Sequence, residues 1–282
     1  MKVAVRTITI ATLAILPFAT VPVVAQRAAG TAPANASSVD PASKPTPRMA
    51  DGRPNLNGFW AIGRGPDTPV GSGFGERNAY TTRGEARNAA AQYADPNQPP
   101  YKPELMAKVQ DLAKNESKTD TAFFCKPGGV PRIGPPHSIV QAPGMPLVLL
   151  YQVNSGNTFR LVPTDGRKHD PNADLLYYGD SIGRWEGDTL VIDTIGFNDE
   201  TWLGIYGWFH SDKLHVIERL TRVGDTLRYQ ATVEDPEVFT RLWTMNPWVS
   251  VKTTELLVEN PPCVELDIDH VTSFDEKTKP QP

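Results

Sequence analysis

Cysteine is the first scarcity: the 282-residue chain has two, Cys125 and Cys263. No paired cysteine ligands, His-Glu-x-x-His helix or Asp-rich calcium loop occurs, and His137, His169, His210, His215 and His270 are scattered, so no metal is expected. The loop Asp165 to Asp170 has the look of a ligand loop, but its basic residues and its glycine read better as a plain turn. The chain lacks the Gly-x-Ser-x-Gly elbow of a serine hydrolase, and no glycine-rich strand-to-helix turn suggests a nucleotide or flavin. No cofactor is expected. Basic clusters are missing as well: 28 Lys and Arg stand against 32 Asp and Glu, which argues against a nucleic-acid partner. The one long apolar run, Thr7 to Val24, contains Pro17 and Pro22 and is short for a bilayer span, and no second run follows, so no membrane span is expected.

That run has a different reading. Lys2 and Arg6 precede it, and Val23-Val24-Ala25 puts small residues where a signal peptidase cuts. Residues 1–25 are therefore expected to be a signal peptide, and the mature chain periplasmic or secreted. Residues 26–54 are rich in Ala, Pro, Ser and Thr with almost no large apolar side chain, which predicts a disordered leader. The rest, 55–282, is expected to form a single β-rich domain. In an oxidising compartment two cysteines most simply form one disulfide, Cys125 to Cys263, worth roughly 4 to 5 kcal/mol by loop-closure entropy. The alternative is a catalytic thiol.

The chain is rich in turn formers, with 27 prolines and 22 glycines. Helical composition is confined to Arg83–Tyr93 and Glu104–Glu116, the second opening at Pro103. Beyond Cys125 the pattern becomes strands: His137–Gln141, Leu147–Val153, Thr158–Pro163, Asp174–Tyr178, Phe239–Trp243, Trp248–Val258 and Val264–Phe274. Between them the phrase Gly-Asp-Thr-Leu occurs twice, at 187–190 and 224–227, each time flanked by alternating runs that read as a β-hairpin. Strands so numerous at short spacing predict an antiparallel meander barrel, lipocalin-like, with two short N-terminal helices; a half-open β-sandwich or roll is the alternative.

Alternation assigns faces. Leu214, Val216, Glu218 and Leu220 share one side of their strand, and Leu227, Tyr229, Ala231 and Val233 share one side of the next. Glu218 is thus a carboxylate among aliphatic residues on the inner face. Paired with Arg160 or Arg132 it is structural; facing a cavity it is a general acid or base. Arg160 is the favoured partner, because Phe159-Arg160-Leu161 also sets a charge between apolar residues.

The segment from Ser181 to Thr194, Ser-Ile-Gly-Arg-Trp-Glu-Gly-Asp-Thr-Leu-Val-Ile-Asp-Thr, resembles a broad group of exported bacterial proteins of unassigned function. The likeness continues through Gly196-Phe197-Asn198, Thr201-Trp202-Leu203, His210-Ser211, Glu218-Arg219 and Asp235-Pro236, and includes the opening Asp51 to Trp60. It implies an exported β-rich domain and names no reaction.

The stretch joining the two hairpins is dense in polar and aromatic residues. His210 follows Tyr206-Gly207-Trp208-Phe209 and can be read as a proton-transfer residue at a cavity mouth or as a loop histidine capping a turn. In the first reading Asp193 or Glu218 orients it, and Trp202, Tyr206, Trp208, Arg160 and Asn198 hold the substrate. His215 is expected on the outer face. Three functions follow. The leading one is a cofactor-independent lyase, isomerase or hydratase acting by acid/base chemistry on a small apolar or aromatic molecule. The others are a non-catalytic binder of such a molecule, and an envelope interaction protein presenting Trp202, Tyr206, Trp208, Trp243 and Trp248.

Overall fold

A computed structural model describes residues 40–62, 96–153, 156–204 and 206–259, all within one compact unit, Val39–Pro282. The expected signal peptide, the helix at Arg83–Tyr93, the strand at Val264–Phe274 and Cys263 lie outside these residues. Among the described residues, no helix is long and apolar enough to cross a membrane.

Among the described residues ten antiparallel strands dominate: β1 (Gly58–Ile62), β2 (Ser138–Val140), β3 (Leu147–Val153), β4 (Gly156–Val162), β5 (Asp180–Glu186), β6 (Thr189–Ile195), β7 (His215–Val223), β8 (Thr226–Glu234), β9 (Trp243–Thr244) and β10 (Trp248–Thr253). Nine form a continuous path, β4-β3-β2-β1-β10-β8-β7-β6-β5, with β9 paired to β8. It is a meander except that β10 is inserted between β1 and β8. The path curls until its two end strands meet, where the Gly183 amide donates to the Pro163 carbonyl at 2.7 Å. The result is the nearly closed, lipocalin-like barrel that the strand spacing predicts. Among the described residues, α-helix is limited to α1 (Met106–Lys114), entered through a turn of 3₁₀ helix that begins at Pro103, and the short α2 (Glu116–Thr119).

Both Gly-Asp phrases turn two-residue hairpins, β5 to β6 and β7 to β8. Gly187 and Gly224 take positive φ, 60° and 56°, while the aspartates do not, as in a type II′ turn. Two expected strands fail. Asp174–Tyr178 contributes only a bridge between Leu176 and Phe197, and Leu175 and Leu176 are exposed, so no buried face fixes the segment as a strand. Phe239–Trp243 is pulled back instead, the Val238 and Phe239 amides donating to the Asp235 carbonyl, and only Trp243 enters β9. β1, which lies outside the strands expected from the sequence, is a full strand between β2 and β10.

Residues 40–54 correct the disordered-leader expectation. They lie on the two hairpin turns. The Arg48 guanidinium grips Asp188 through two bonds of 2.7 Å, and Lys44 bonds Asp225 at 2.6 Å. Thr46 Oγ1 accepts from the Gly224 amide and the Pro41 carbonyl from the Asp225 amide. Any side chain at Gly224 would strike the Pro41 and Lys44 carbonyls. Composition could not reveal this order, because it comes from ion pairs and backbone bonds to distant turns rather than from buried apolar surface.

The inner face is as alternation predicts, with Val216, Glu218, Leu220, Leu227, Tyr229, Ala231 and Val233 buried. At its centre Arg160 of β4 reaches across the seam. Its terminal nitrogens meet both Glu218 oxygens at 3.0 and 2.6 Å, and they also donate to Ser181 Oγ on β5 (2.8 Å) and Thr194 Oγ1 on β6 (3.1 Å). Tyr151 accepts from the guanidinium and Tyr229 donates to Glu218. Burial raises both tyrosine pKa values, so their hydroxyls stay protonated. Arg132, the other partner considered for Glu218, is held instead by Asp120 at 2.7 and 2.5 Å.

Removing one member of a buried ion pair strands the other. Glu218→Gln is therefore expected to lower unfolding stability by roughly 3 kcal/mol, whereas the double replacement Arg160→Met with Glu218→Leu restores most of it. Urea unfolding midpoints decide this, and a single variant as stable as the parent contradicts it.

Candidate functional site

The connection between β6 and β7 folds on itself. Trp202 bridges Phe209, the Leu203 amide donates to the Trp208 carbonyl at 2.7 Å, and the reversal passes through Tyr206 and Gly207 at φ 70° and 73°. A Cβ at Gly207 would collide with the Val109 carbonyl, so glycine lets this turn lie directly on α1. Trp202, Tyr206 and Trp208 are consequently core residues, 5%, 3% and 8% exposed, and Trp208 packs edge-on against Trp243 at 5.5 Å. Trp243 and Trp248 are buried too. These aromatics present no contact surface to a partner, and the three expected to wall a binding site are packed within the core. Asn198 caps a local turn, its side-chain oxygen accepting from the Glu200 amide at 3.2 Å.

His210 is buried at the base of this turn. Its Nδ1 lies 2.8 Å from the Ser211 carbonyl, which can only accept, so Nδ1 carries the proton. Nε2 then accepts from the Thr201 hydroxyl at 2.7 Å. Burial pushes its pKa below the ordinary imidazole value, which matches this neutral tautomer. The turn-capping reading describes the geometry; a proton-transfer residue at a cavity mouth does not. Neighbouring Ser211 is fixed by Asp235, which accepts from its amide and hydroxyl at 2.7 and 2.9 Å.

The three expected catalytic groups therefore occupy three settings. Glu218 is locked to Arg160 inside the barrel, His210 is sealed in the connection, and Asp193 lies on the outer face of β6. There Asp193 Oδ1 faces two imidazoles, His215 Nε2 at 2.9 Å and His169 Nε2 at 3.1 Å. Each histidine meets a further carboxylate through Nδ1: Asp180 at 2.7 Å from His169, and Glu234 at 3.3 Å from His215. Five side chains thus form a row across β5 to β8. Strand alternation places His215 outside, as found, but gives no sign of His169, which arrives from the long β4–β5 connection. Among the described residues, no group of three ligating side chains is placed to hold a metal ion. Cys125 is disulfide-bonded, which removes the free-thiol reading, and Cys263, its expected partner, falls outside the described residues.

A concave site exists elsewhere, at the barrel end that carries the hairpin turns. It is a cleft of about 440 Å³, walled by Met49, Met145, Leu147, Pro163 and Trp185, with Arg53 and Arg167 at its rim. A volume of that order suits a small organic molecule. Arg53 stands 5.8 Å over the Trp185 ring, and the Asp51 carboxylate lies 3.7 Å from the Arg53 guanidinium. Arg167 is tied to Asp165, whose carboxyl it holds down to about 2 by hydrogen bonds. The walls come from the docked N-terminal segment, the β2–β3 loop, the β4–β5 connection and β5. The one sequence signal for the cleft is Trp185, in the most distinctive motif of the chain and at the same inner-face parity as Ser181 and Gly183. Comparison with protein families, with curated proteins and with solved structures returns no match.

His210 supplies a pH test. With its folded pKa below the unfolded value of about 6.5, the unfolded chain binds the proton more readily, so stability is complete above that pH and falls as pH drops toward the folded pKa. Replacement His210→Gln is expected to remove this component below about pH 6.5. Chemical unfolding at a series of pH values checks it; an unchanged slope in the variant contradicts it.

Proposed function

We propose that this chain is an exported binding protein whose barrel mouth holds a small apolar or aromatic molecule carrying a negative charge. The mouth cleft carries the proposal. Trp185, Met49, Met145 and Leu147 offer a polarizable apolar bed for a flat ligand. Arg53 at the rim supplies guanidinium donors suited to a carboxylate or sulfonate, with Arg167, tied to Asp165, beside it. Arg53 is well placed for this because its acidic neighbour is 3.7 Å away, too far to occupy its donors fully.

A binder is preferred to a lyase or isomerase on physical grounds. Proton transfer needs a titrating group within hydrogen-bond reach of a bound substrate. Of the three groups nominated for it, His210 is neutral and enclosed, Glu218 is paired with Arg160, and Asp193 lies on the outer face, outside the cleft lining. The mouth cleft has no histidine in its lining, and its two carboxylates, Asp51 and Asp165, each lie beside an arginine.

The fluorescent aromatic sulfonate 1-anilinonaphthalene-8-sulfonate tests the reading directly. Saturable binding is expected, with Trp185→Ala raising Kd by at least about tenfold, equivalent to roughly 1.4 kcal/mol. Arg53→Gln is expected to weaken the anion and spare a neutral aromatic of the same shape. Equal affinity in the parent and in a stably folded Trp185→Ala variant defeats the proposal.

A further inference from the structure

The His/carboxylate row on the outer face lies outside the cleft lining, yet it is joined to the cleft by the chain itself. The connection between β4 and β5 supplies Pro163, Thr164, Asp165 and Arg167 to the cleft and then places His169 between Asp180 and Asp193. The Gly183–Pro163 bond fixes its start, and the pairing of Leu176 with Gly196 and Phe197 fixes its far end. Between those points its remaining hydrogen bonds are internal, joining Arg167 to Asp165 and Asn172 and Ala173 to Asp170. Among the described residues, His169 alone hydrogen-bonds residues 164–175 to the barrel wall.

Carboxylates accept hydrogen bonds and do not donate them. An imidazole with a carboxylate at each ring nitrogen forms both bonds only when both nitrogens carry protons. His169 and His215 each stand in that position, with Asp193 common to both. The charged groups facing the row are Asp180, Asp193 and Glu234, together with Arg184, whose Nη1 is 3.9 Å from Asp193. Arg167 also acts electrostatically on Asp180. With both imidazoles protonated, three carboxylates meet two imidazoliums. With both neutral, three carboxylates crowd together, and each histidine turns a lone pair toward one of them.

We infer that His169 is a pH-operated pin: protonated, it clamps the cleft-bearing connection to the outer face of β5 and β6, and deprotonated, it lets that wall of the cleft loosen. Imidazoles as a class change charge between pH 5 and 8. The structural half of this inference stands by itself. Its consequence for ligand rests on the mouth cleft being the binding site.

Trypsin reads the pin without any ligand, because Arg167 and Lys168 lie in the pinned stretch. Cleavage there is measured near pH 6 and near pH 8, each rate divided by that of a linear peptide of the same sequence. Wild-type protection is expected to be about fivefold greater near pH 6, the order of factor that one net hydrogen bond carries. His169→Gln is expected to erase the difference and cleave at the alkaline rate throughout. Equal protection of the wild type at both pH values overturns the pin, and so does a pH difference that survives in His169→Gln. Binding of 1-anilinonaphthalene-8-sulfonate is then titrated at both pH values. Tighter wild-type binding near pH 6, absent in His169→Gln, is the expected result. Pin and cleft are uncoupled if protection changes with pH and affinity does not. Affinity that ignores Trp185→Ala defeats the cleft reading and leaves the cleavage result unaffected.

Discussion

The closure of this barrel rests on one guanidinium. Among the described residues the end strands β4 and β5 share no regular ladder, and the backbone bond at their seam is the Gly183–Pro163 contact beside the mouth. Arg160 compensates from inside. Rooted in β4, it spans to Ser181, Thr194 and Glu218, so a single side chain ties one end of the sheet to three strands at the other end. The desolvation cost of burying that charge is offset by a two-point carboxylate contact and by hydroxyl neighbours. Such an arrangement specifies register as well as closure, because shifting β4 by one residue would turn Arg160 outward and Phe159 inward.

The barrel mouth depends on this closure. Pro163, immediately after β4, and Trp185, near the end of β5, face each other across the seam and share the cleft. The cleft also depends on the repeated Gly-Asp turns. Asp188 and Asp225 hold Arg48 and Lys44, and the chain between those anchors and Leu56 supplies Met49 and Arg53. The repeat therefore has a role beyond turning two hairpins. Its glycines give the positive φ and its aspartates moor the segment that completes the mouth.

Much of the fold is legible in the order of the amino acids. Period-two alternation identifies the inner faces of β7 and β8 because a half-buried sheet imposes that period and no other. The same logic isolates Glu218 as an inner carboxylate and Arg160 as its partner, since both break an apolar face and a buried charge needs an opposite one. The site is less legible. Proximity along the chain suggests that Asp193, His210 and Glu218 act together, but Asp193 and Glu218 lie on opposite faces of the sheet, and His210 belongs to a connection folded against α1. The cleft draws its walls from four segments far apart in sequence. Four of its residues, Met49, Ala50, Asp51 and Arg53, lie in a stretch whose composition reads as disorder, and its order comes from long-range ion pairs that composition does not encode. His169 is hidden for a similar reason: its partners come from β5 and β6, and only the path of the connection brings them together.

The central claim is that the mouth cleft holds a small molecule. Native mass spectrometry of the protein purified from its own host addresses it most directly. The expected spectrum contains a non-covalent adduct of a few hundred daltons, the size a cleft of about 440 Å³ accommodates, and this adduct is lost in Trp185→Ala. Bare polypeptide alone, or an adduct that persists undiminished in that variant, would contradict the account.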